Sequence, residues 1–305
     1  MARRVRIQEV APRDGLQIEP RFLPTAEKIR LVDRLSLTGL ARIEVTSFVS
    51  PKAVPHLRDA EEVMRGIVRA PGVAYAVLVP NARGCERALA AGADELNLVL
   101  SASETHNQAN MRMSTDASLE QFAAVASLAR GRARLNGTIA TAFGCPFEGE
   151  VPLARVLAVA ERYLSLGITE ITLADTTGMA NPRQAAALLS AVAKACPGIP
   201  LIAHFHNTRG MGLANVLAAL DAAVDRFDAS LGGLGGCPFA PGASGNICTE
   251  DLVHMLEAMG IETGVALDAL LAAARSLPAL LGHEVPGQLI KAGRSTDLHP
   301  RPAAA

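Results

Sequence analysis

The chain of 305 residues is long enough for two ordinary domains or for one large barrel. Half of its residues are hydrophobic and 19% are charged, a composition that excludes a disordered or collagen-like protein. The 29 Lys and Arg residues nearly balance the 30 Asp and Glu residues. The resulting formal net charge of -1 provides no broad basic field for nucleic acid or for anionic lipid.

We expect neither a signal peptide nor a membrane-spanning segment. No apolar run reaches the roughly 18 residues that span a bilayer, and no apolar segment of a signal peptide follows the two arginines near the amino terminus. Five cysteines, an odd number without CxxC spacing, argue against a disulfide framework and a structural zinc site. We therefore expect a cytoplasmic protein with no nucleic-acid or membrane partner.

Short apolar runs alternate along the chain with longer Ala- and Leu-rich segments of helical period. The predicted strands centre on Ile7, Ile43, Val77, Leu98, Ile139, Ile171, Ile202 and Ala229. Their average spacing of about 32 residues is the size of a strand with a returning helix. The clearest helical segments are 25–37, 57–68, 153–166, 183–195 and 213–223.

This alternation favours a TIM (β/α)8 barrel over a doubly wound sheet. No Pro- or Ser-rich linker divides the chain. We predict one catalytic domain over residues 1–298, in which the segment after about residue 249 supplies a last helix and a carboxy-terminal helical extension. Residues 299–305 are expected to form a flexible tail.

In such a barrel the chemistry lies at the carboxyl ends of the strands. Strand seven carries His204 and His206, and a spacing of two directs both imidazoles to one face, where they can bind one ion. This pair alone is weak evidence. Asp14, after strand one, strengthens it, because two neutral histidines and a carboxylate commonly form an open divalent-metal site.

Three further charged residues, Arg13, Glu44 and Asp175, lie in or at the ends of predicted strands. Arg13 either forms a surface ion pair with Asp14 or stabilises negative charge near a metal. Glu44 in the middle of strand two needs a cation, for which Arg13 is the natural candidate. Asp175, at the end of strand six, either caps the following turn or orients a histidine.

The segment 232–246 contains six glycines, two prolines and Cys237. This mixture is typical of a mobile lid over a substrate, and the alternative is a tight connection with an inert cysteine. A flexible Gly-Gly-Cys-Pro setting favours an exposed, reactive Cys237 that transfers protons. Cys145 follows strand five and lines the pocket at most, whereas Cys85, Cys196 and Cys248 are interpreted as packing residues.

Several motifs together resemble the hydroxymethylglutaryl-CoA lyase family over nearly the whole chain. They are VAPRDGLQ, IEVTSFVSPKAVP, AFGCPFEGEV, LADTTGMANP, HFHNTRGMGLAN and LGGLGGCPFAPGASGN. The resemblance implies a divalent cation, Mg²⁺ or Mn²⁺, held by Asp14, His204, His206 and Asn246. It also implies that Arg13 stabilises an enolate oxygen, that Cys237 is the general acid/base, that Glu44 and Asp175 support the site, and that Gln17 orients the substrate.

The reaction implied by this resemblance is a retro-Claisen cleavage of 3-hydroxy-3-methylglutaryl-CoA to acetyl-CoA and acetoacetate, a step of leucine breakdown. The substrate would be an acyl-CoA, for whose phosphates Lys52, Arg83 and Arg209 are candidate contacts. A homodimer or larger homo-oligomer is reasonable for such a barrel.

Some positions depart from the usual family pattern: Ala53, Asn207, Arg209, Met211 and Gly212. They leave open a related substrate, such as citramalyl-CoA or a longer 3-hydroxy-3-alkylglutaryl-CoA. Asn207 is also familiar from condensing synthases of the same superfamily, although the cysteine loop favours a lyase. A barrel that only binds acyl-CoA or a partner is the remaining alternative.

Overall fold

The computed structural model describes residues 3–236, 245–298 and 300–301. Eight parallel strands form a closed barrel in chain order, in which β1 also pairs with β8. The strands are β1 (Arg6–Glu9), β2 (Arg42–Ser47), β3 (Ala74–Leu78), β4 (Glu95–Ser101), β5 (Arg134–Ala140), β6 (Glu170–Asp175), β7 (Leu201–Phe205) and β8 (Arg226–Ala229). Every predicted strand centre lies within its strand, so the TIM-barrel prediction is confirmed.

Helices return the chain between strands and then continue beyond the barrel. The first eight are α1 (Thr25–Ser36), α2 (Ala60–Gly66), α3 (Ala82–Ala90), α4 (Glu104–Met111), α5 (Thr115–Ala129), α6 (Leu153–Ser165), α7 (Pro182–Ala195) and α8 (Gly212–Asp221). The predicted extension comprises α9 (Thr249–Ala258), α10 (Leu267–Ala274), α11 (Leu277–Leu281) and α12 (Leu289–Ala292). The domain limits of 1–298 stay a prediction, and most of the predicted tail lies outside the described residues.

Local sequence signals explain these helices, as α7 illustrates. The Asn181 side chain accepts a hydrogen bond from the amide of Gln184 at 3.1 Å, and Pro182 occupies the first helical position. The buried residues Ala185, Leu188, Leu189 and Val192 recur at helical spacing and pack against the barrel. The predicted helical segments differ from the observed helices only at their ends. For example, α2 covers seven residues of the predicted segment 57–68.

Polar side chains occupy part of the barrel interior. Arg42 on β2 forms an ion pair with Glu170 on β6, across the barrel, so both side chains point inward. Higher in the barrel, Asn97 on β4 accepts hydrogen bonds from Thr138 (2.7 Å) and Asn136 (3.1 Å) on β5. Since successive residues of a strand alternate between its two faces, these inward positions recur at every second residue. Among the described residues, no helix has the length and apolar character needed to cross a membrane.

Candidate active site

The first site residues are carried by an unusual turn. The chain leaves β1 through a single buried π-helical turn, Ala11–Gly15, in which the Val10 carbonyl accepts from the amides of Asp14 (2.7 Å) and Gly15 (3.4 Å). π-helical turns are frequent at functional sites because the wider turn redirects side chains. Arg13 and Asp14 are thereby fixed at the carboxyl end of β1, where the sequence predicted them.

Arg13 is held between two carboxylates. Its Nε donates to Glu44 Oε2 at 2.6 Å, and its Nη1 donates to Asp14 Oδ1 at 2.7 Å. Burial lowers the pKa of the guanidinium, but the charges of Glu44 and Asp14 outweigh burial and raise it. The predicted Arg13–Glu44 pairing is confirmed, and the surface ion-pair interpretation of Arg13 is wrong because its side chain is only 10% exposed.

Asp14, His204 and His206 come together as one cluster. The two imidazoles present Nε2 atoms 3.1 Å apart, and Nε2 of His206 lies 4.0 Å from Oδ2 of Asp14. One ligand atom from each of the three residues lies within 4.8 Å of the others. Two protonated nitrogens would repel each other at 3.1 Å, so at most one of the two facing nitrogens carries a proton. The other nitrogen keeps a lone pair, and a cation that accepts lone pairs from both suits the pair better than a second proton.

Asn246 lies beside this cluster, because its backbone forms an isolated antiparallel β-bridge with that of His206. Its Nδ2 donates to Asp14 Oδ2 at 2.7 Å and to the Leu234 carbonyl at 3.0 Å. Its buried Oδ1 has no hydrogen-bond partner among the described residues. A buried carbonyl oxygen without a partner beside a carboxylate and two imidazole nitrogens fits an oxygen- and nitrogen-liganded divalent cation.

The protonation states of His206 and Asp14 also fit a cation. Burial, followed by the charge of His204, lowers the pKa of His206 to about 3, so its ring is neutral at physiological pH. Burial raises the pKa of Asp14, but the charges of Arg13 and the two histidines outweigh burial and lower it, so the carboxylate stays ionised. Neutral imidazole and ionised carboxylate are the forms that coordinate metals.

His204 is oriented by Asp228 rather than by Asp175. Asp228 Oδ2 lies 3.2 Å from His204 Nδ1, and β7 and β8 place the two residues in register. Burial lowers the pKa of His204, but the hydrogen bond and charge of Asp228 raise it above its ordinary value. A carboxylate on the second ring nitrogen fixes the tautomer that leaves Nε2 free for a metal.

Asp175 caps the turn after β6, the first of its two predicted roles. Its Oδ1 accepts from the amides of Met179 (2.7 Å) and Ala180 (3.1 Å), and its buried Oδ2 has no partner among the described residues. Burial raises the pKa of this carboxyl to about 6. The alternative role, direct orientation of a histidine, is taken by Asp228.

Gln17 lies in the turn that follows Asp14. Its Nε2 donates to Asp14 Oδ1 at 3.2 Å, so Gln17 contacts a predicted metal ligand as well as facing the same end of the barrel. Asn97, which the motif analysis missed, donates from Nδ2 to Glu44 Oε1 at 2.9 Å. Asp228 and Asn97 were both detectable as polar residues on alternate positions of otherwise apolar strands.

Cys237 lies outside the described residues, as does most of the predicted lid. Gly235, at one edge of that gap, has φ of 106° and lies against the site: an added Cβ would be 2.6 Å from Asn246 Nδ2. Cys145 is buried with its Sγ 2.9 Å from Ser103 Oγ. Cys85, Cys196 and Cys248 are buried, in agreement with the packing interpretation.

The departures after the histidine pair have structural explanations. Asn207 Oδ1 accepts from the amide of Gly212 at 3.0 Å, and a Cβ on Gly212 would lie 2.3 Å from Ile247 Cγ2. Arg209 donates to the carbonyls of Thr177 and Gly178, both at 2.9 Å. Arg209 therefore braces the loop after β6, whereas the other candidate CoA contacts, Lys52 and Arg83, are exposed.

A closed eight-stranded barrel with a cluster of acidic, imidazole and guanidinium groups at its carboxyl end defines a TIM-barrel enzyme. A family model described as HMGL-like matches residues 4–277. The hydroxymethylglutaryl-CoA lyase YngG of Bacillus subtilis is 46% identical over 295 residues, which cover 96% of this chain and 99% of that protein. The (R)-citramalyl-CoA lyase of Chloroflexus aurantiacus is 45% identical over 300 residues, with 95% of each chain covered.

Solved structures give the same result. An HMG-CoA lyase from Acinetobacter baumannii, in complex with coenzyme A and 3-methylmalate, is 58% identical, has a TM-score of 0.96 and covers 98% of both chains. The chain belongs to the HMGL-like family and is an enzyme of the hydroxymethylglutaryl-CoA lyase type. The alternative of a barrel that only binds acyl-CoA is therefore wrong.

Proposed function

We propose that this enzyme cleaves 3-hydroxy-3-methylglutaryl-CoA to acetyl-CoA and acetoacetate with the help of a divalent cation, Mg²⁺ or Mn²⁺. The observation that supports the proposal is the contact between the Asp14, His204 and His206 cluster and Arg13, because a cation bound by that cluster would lie beside a fixed positive charge. Relatives named for this activity cover nearly the whole chain at 44–48% identity.

Asp14, His204, His206 and Asn246 are the residues that would hold the cation. A bound divalent cation supplies positive charge that lowers the pKa of the substrate 3-hydroxyl and favours its ionised form. Asp228 and Gln17 keep the ligands in place through His204 Nδ1 and Asp14 Oδ1. Because the cluster is buried, charge interactions there are stronger than at a solvated surface.

The bond that breaks is the one between C2 and C3 of the acyl chain. The 3-hydroxyl gives up its proton to the ionised carboxylate of Asp175, its oxygen forms the ketone of acetoacetate, and the electron pair of the broken bond moves into the thioester as an enolate. Arg13 stabilises the enolate oxygen, since Glu44 and Asp14 hold its guanidinium in one orientation. Protonation of the enolate at C2 yields acetyl-CoA.

Two residues are proposed to handle protons. Cys237 is the acid that protonates the enolate, an assignment that rests on the family motif around it. Asp175 supports the site with its free Oδ2, and a pKa of about 6 lets it exchange a proton near neutral pH.

Lys52 and Arg83 are proposed to contact the CoA phosphates. A cytoplasmic location, a homo-oligomer and a role in leucine breakdown are further proposals that rest on the family.

A second substrate, citramalyl-CoA, is supported by one observation. The citramalyl-CoA lyase relative is as similar to this chain as the hydroxymethylglutaryl-CoA lyases are. The same cleavage applied to citramalyl-CoA gives pyruvate and acetyl-CoA. Ala53, in an exposed turn after β2, is the position where the sequence departs from an aromatic residue common in the family.

The experiment compares kcat/KM for the two substrates at saturating Mg²⁺, with acetyl-CoA as the measured product in both assays. We expect the higher value for 3-hydroxy-3-methylglutaryl-CoA. A higher value for citramalyl-CoA would replace the proposed substrate and keep the chemistry. Ala53→Tyr tests the origin of the preference, and an unchanged ratio of the two kcat/KM values would exclude Ala53 as that origin.

A further inference from the structure

A cavity opens at the amino-terminal end of the barrel, opposite the candidate active site. It has a volume of about 780 Å³. Five arginines line it: Arg6, Arg42, Arg132, Arg134 and Arg226. The lining carboxylates are Asp94 and Glu170. We call this space the basic cavity.

Three of these arginines are matched by acids. They form one chain of ion pairs, Arg134–Glu95–Arg42–Glu170–Arg226–Asp225. This chain contains three positive and three negative groups, so it balances its own charge. Asp94 is bound by Arg69, which does not line the basic cavity. An ion-pair chain at the bottom of a barrel is a usual stabilising feature.

Arg6 and Arg132 are not part of this chain of ion pairs. Neither forms an ion pair with a carboxylate in the described part of the chain, and both are exposed at the rim. The cavity therefore carries about two positive charges in excess of what the ion-pair chain requires.

We propose that the basic cavity binds a small molecule carrying a diphosphate group, at a site separate from the lyase site. Guanidinium groups present paired N–H donors that match phosphate oxygens, and arginines are favoured where phosphate is recognised. Arg6 begins β1 and Arg132 precedes β5, so the two approach the cavity from different strands. A tetrahedral phosphate offers oxygens in several directions to such donors, whereas a planar carboxylate offers two. The volume lies within the range of ligand pockets, about 300–1,000 Å³.

The test uses calorimetric titration of the purified protein with inorganic pyrophosphate at constant ionic strength. The titration is repeated on Lys52→Gln/Arg83→Gln, which removes the proposed phosphate contacts of the lyase site and leaves the basic cavity intact. The variant Arg6→Gln/Arg132→Gln removes the two unmatched charges. The control Arg30→Gln/Arg65→Gln removes two exposed arginines from α1 and α2, outside the cavity.

We expect one saturable site in the wild type and in the control. Each lost charge-assisted hydrogen-bonding group weakens binding about tenfold, so the cavity variant binds roughly 100-fold more weakly. Equal affinity in the cavity variant and the wild type, or no saturable binding in the wild type, would overturn the proposal. Binding of succinate as tight as that of pyrophosphate would overturn the choice of phosphate.

Two controls keep the result interpretable. The single variants Arg6→Gln and Arg132→Gln alter exposed side chains, and each is expected to show part of the loss if the double variant does not fold. Lyase activity of the cavity variant is expected to equal that of the wild type, because neither arginine lies near the carboxyl ends of the strands. Failure of the lyase assay alone concerns the proposed function, and failure of the titration alone concerns the basic cavity.

Discussion

Replacing Asp228 with Asn tests whether the carboxylate hydrogen-bonded to Nδ1 of His204 orients this histidine as a metal ligand. Among the described residues, the Asp228 side chain forms its hydrogen bond with the far nitrogen of His204, at 3.2 Å, so the substitution leaves the proposed ligand atoms in place. Loss of a carboxylate behind a ligating histidine typically reduces metal affinity or activity 10–100-fold. We therefore expect Mn²⁺ affinity to fall by about that factor, equivalent to roughly 1.4–2.7 kcal/mol.

Calorimetric titration with Mn²⁺ measures this change, and kcat at saturating Mn²⁺ separates binding from turnover. Asp225→Asn is the matched control, since Asp225 lies three residues earlier and faces Arg226 at 3.7 Å without contacting a histidine. Its Mn²⁺ affinity is expected to remain unchanged. Wild-type affinity in Asp228→Asn would refute the argument that Asp228 sets the orientation of His204.

Two other substitutions test separate parts of the site, and a third tests a buried carboxyl group at the end of β1. Arg13→Lys loses the double contact with Glu44 and Asp14 and is expected to lower kcat about 10²–10³-fold with little change in KM. Asn97→Ala removes a donor to Glu44 and should lower kcat about tenfold while Mn²⁺ affinity stays constant, which calorimetry checks. Burial raises the pKa of Glu9 from 4.5 to about 8, so the folded protein holds this proton and loses stability as the pH rises through 8. In Glu9→Gln the drop in melting temperature between pH 6 and pH 9 should therefore be smaller by about 2 °C or more, and an unchanged drop would count against a neutral Glu9.

The barrel was predictable because its information is local and periodic. Strand centres such as Ile7 and Ile202 are short apolar runs, and their spacing requires a returning helix between them. Asp14, His204 and His206 could be placed together because the fold itself brings the carboxyl ends of parallel strands to one rim. The Arg13–Glu44 pairing followed from the cost of an unpaired buried charge.

The finer contacts depend on information that the motifs do not contain. β6 and β8 both lie beside β7, so the register decides whether Asp175 or Asp228 reaches His204. Asp228 is paired with His204, whereas Asp175 is paired with Phe205, and these registers are set by closure of the whole barrel. Asn97 contacts Glu44 across a strand that separates them, so no local pattern connects the two residues. The same limit applies to the basic cavity, whose arginines come from distant parts of the chain.

The most direct test of the central claim is mass-spectrometric analysis of products after the purified enzyme meets 3-hydroxy-3-methylglutaryl-CoA with Mg²⁺. A parallel sample contains EDTA, and a third contains His206→Ala. We predict equal amounts of acetyl-CoA and acetoacetate in the first sample and neither product in the other two. Full product formation with EDTA or with His206→Ala would contradict a metal-dependent lyase built on this cluster.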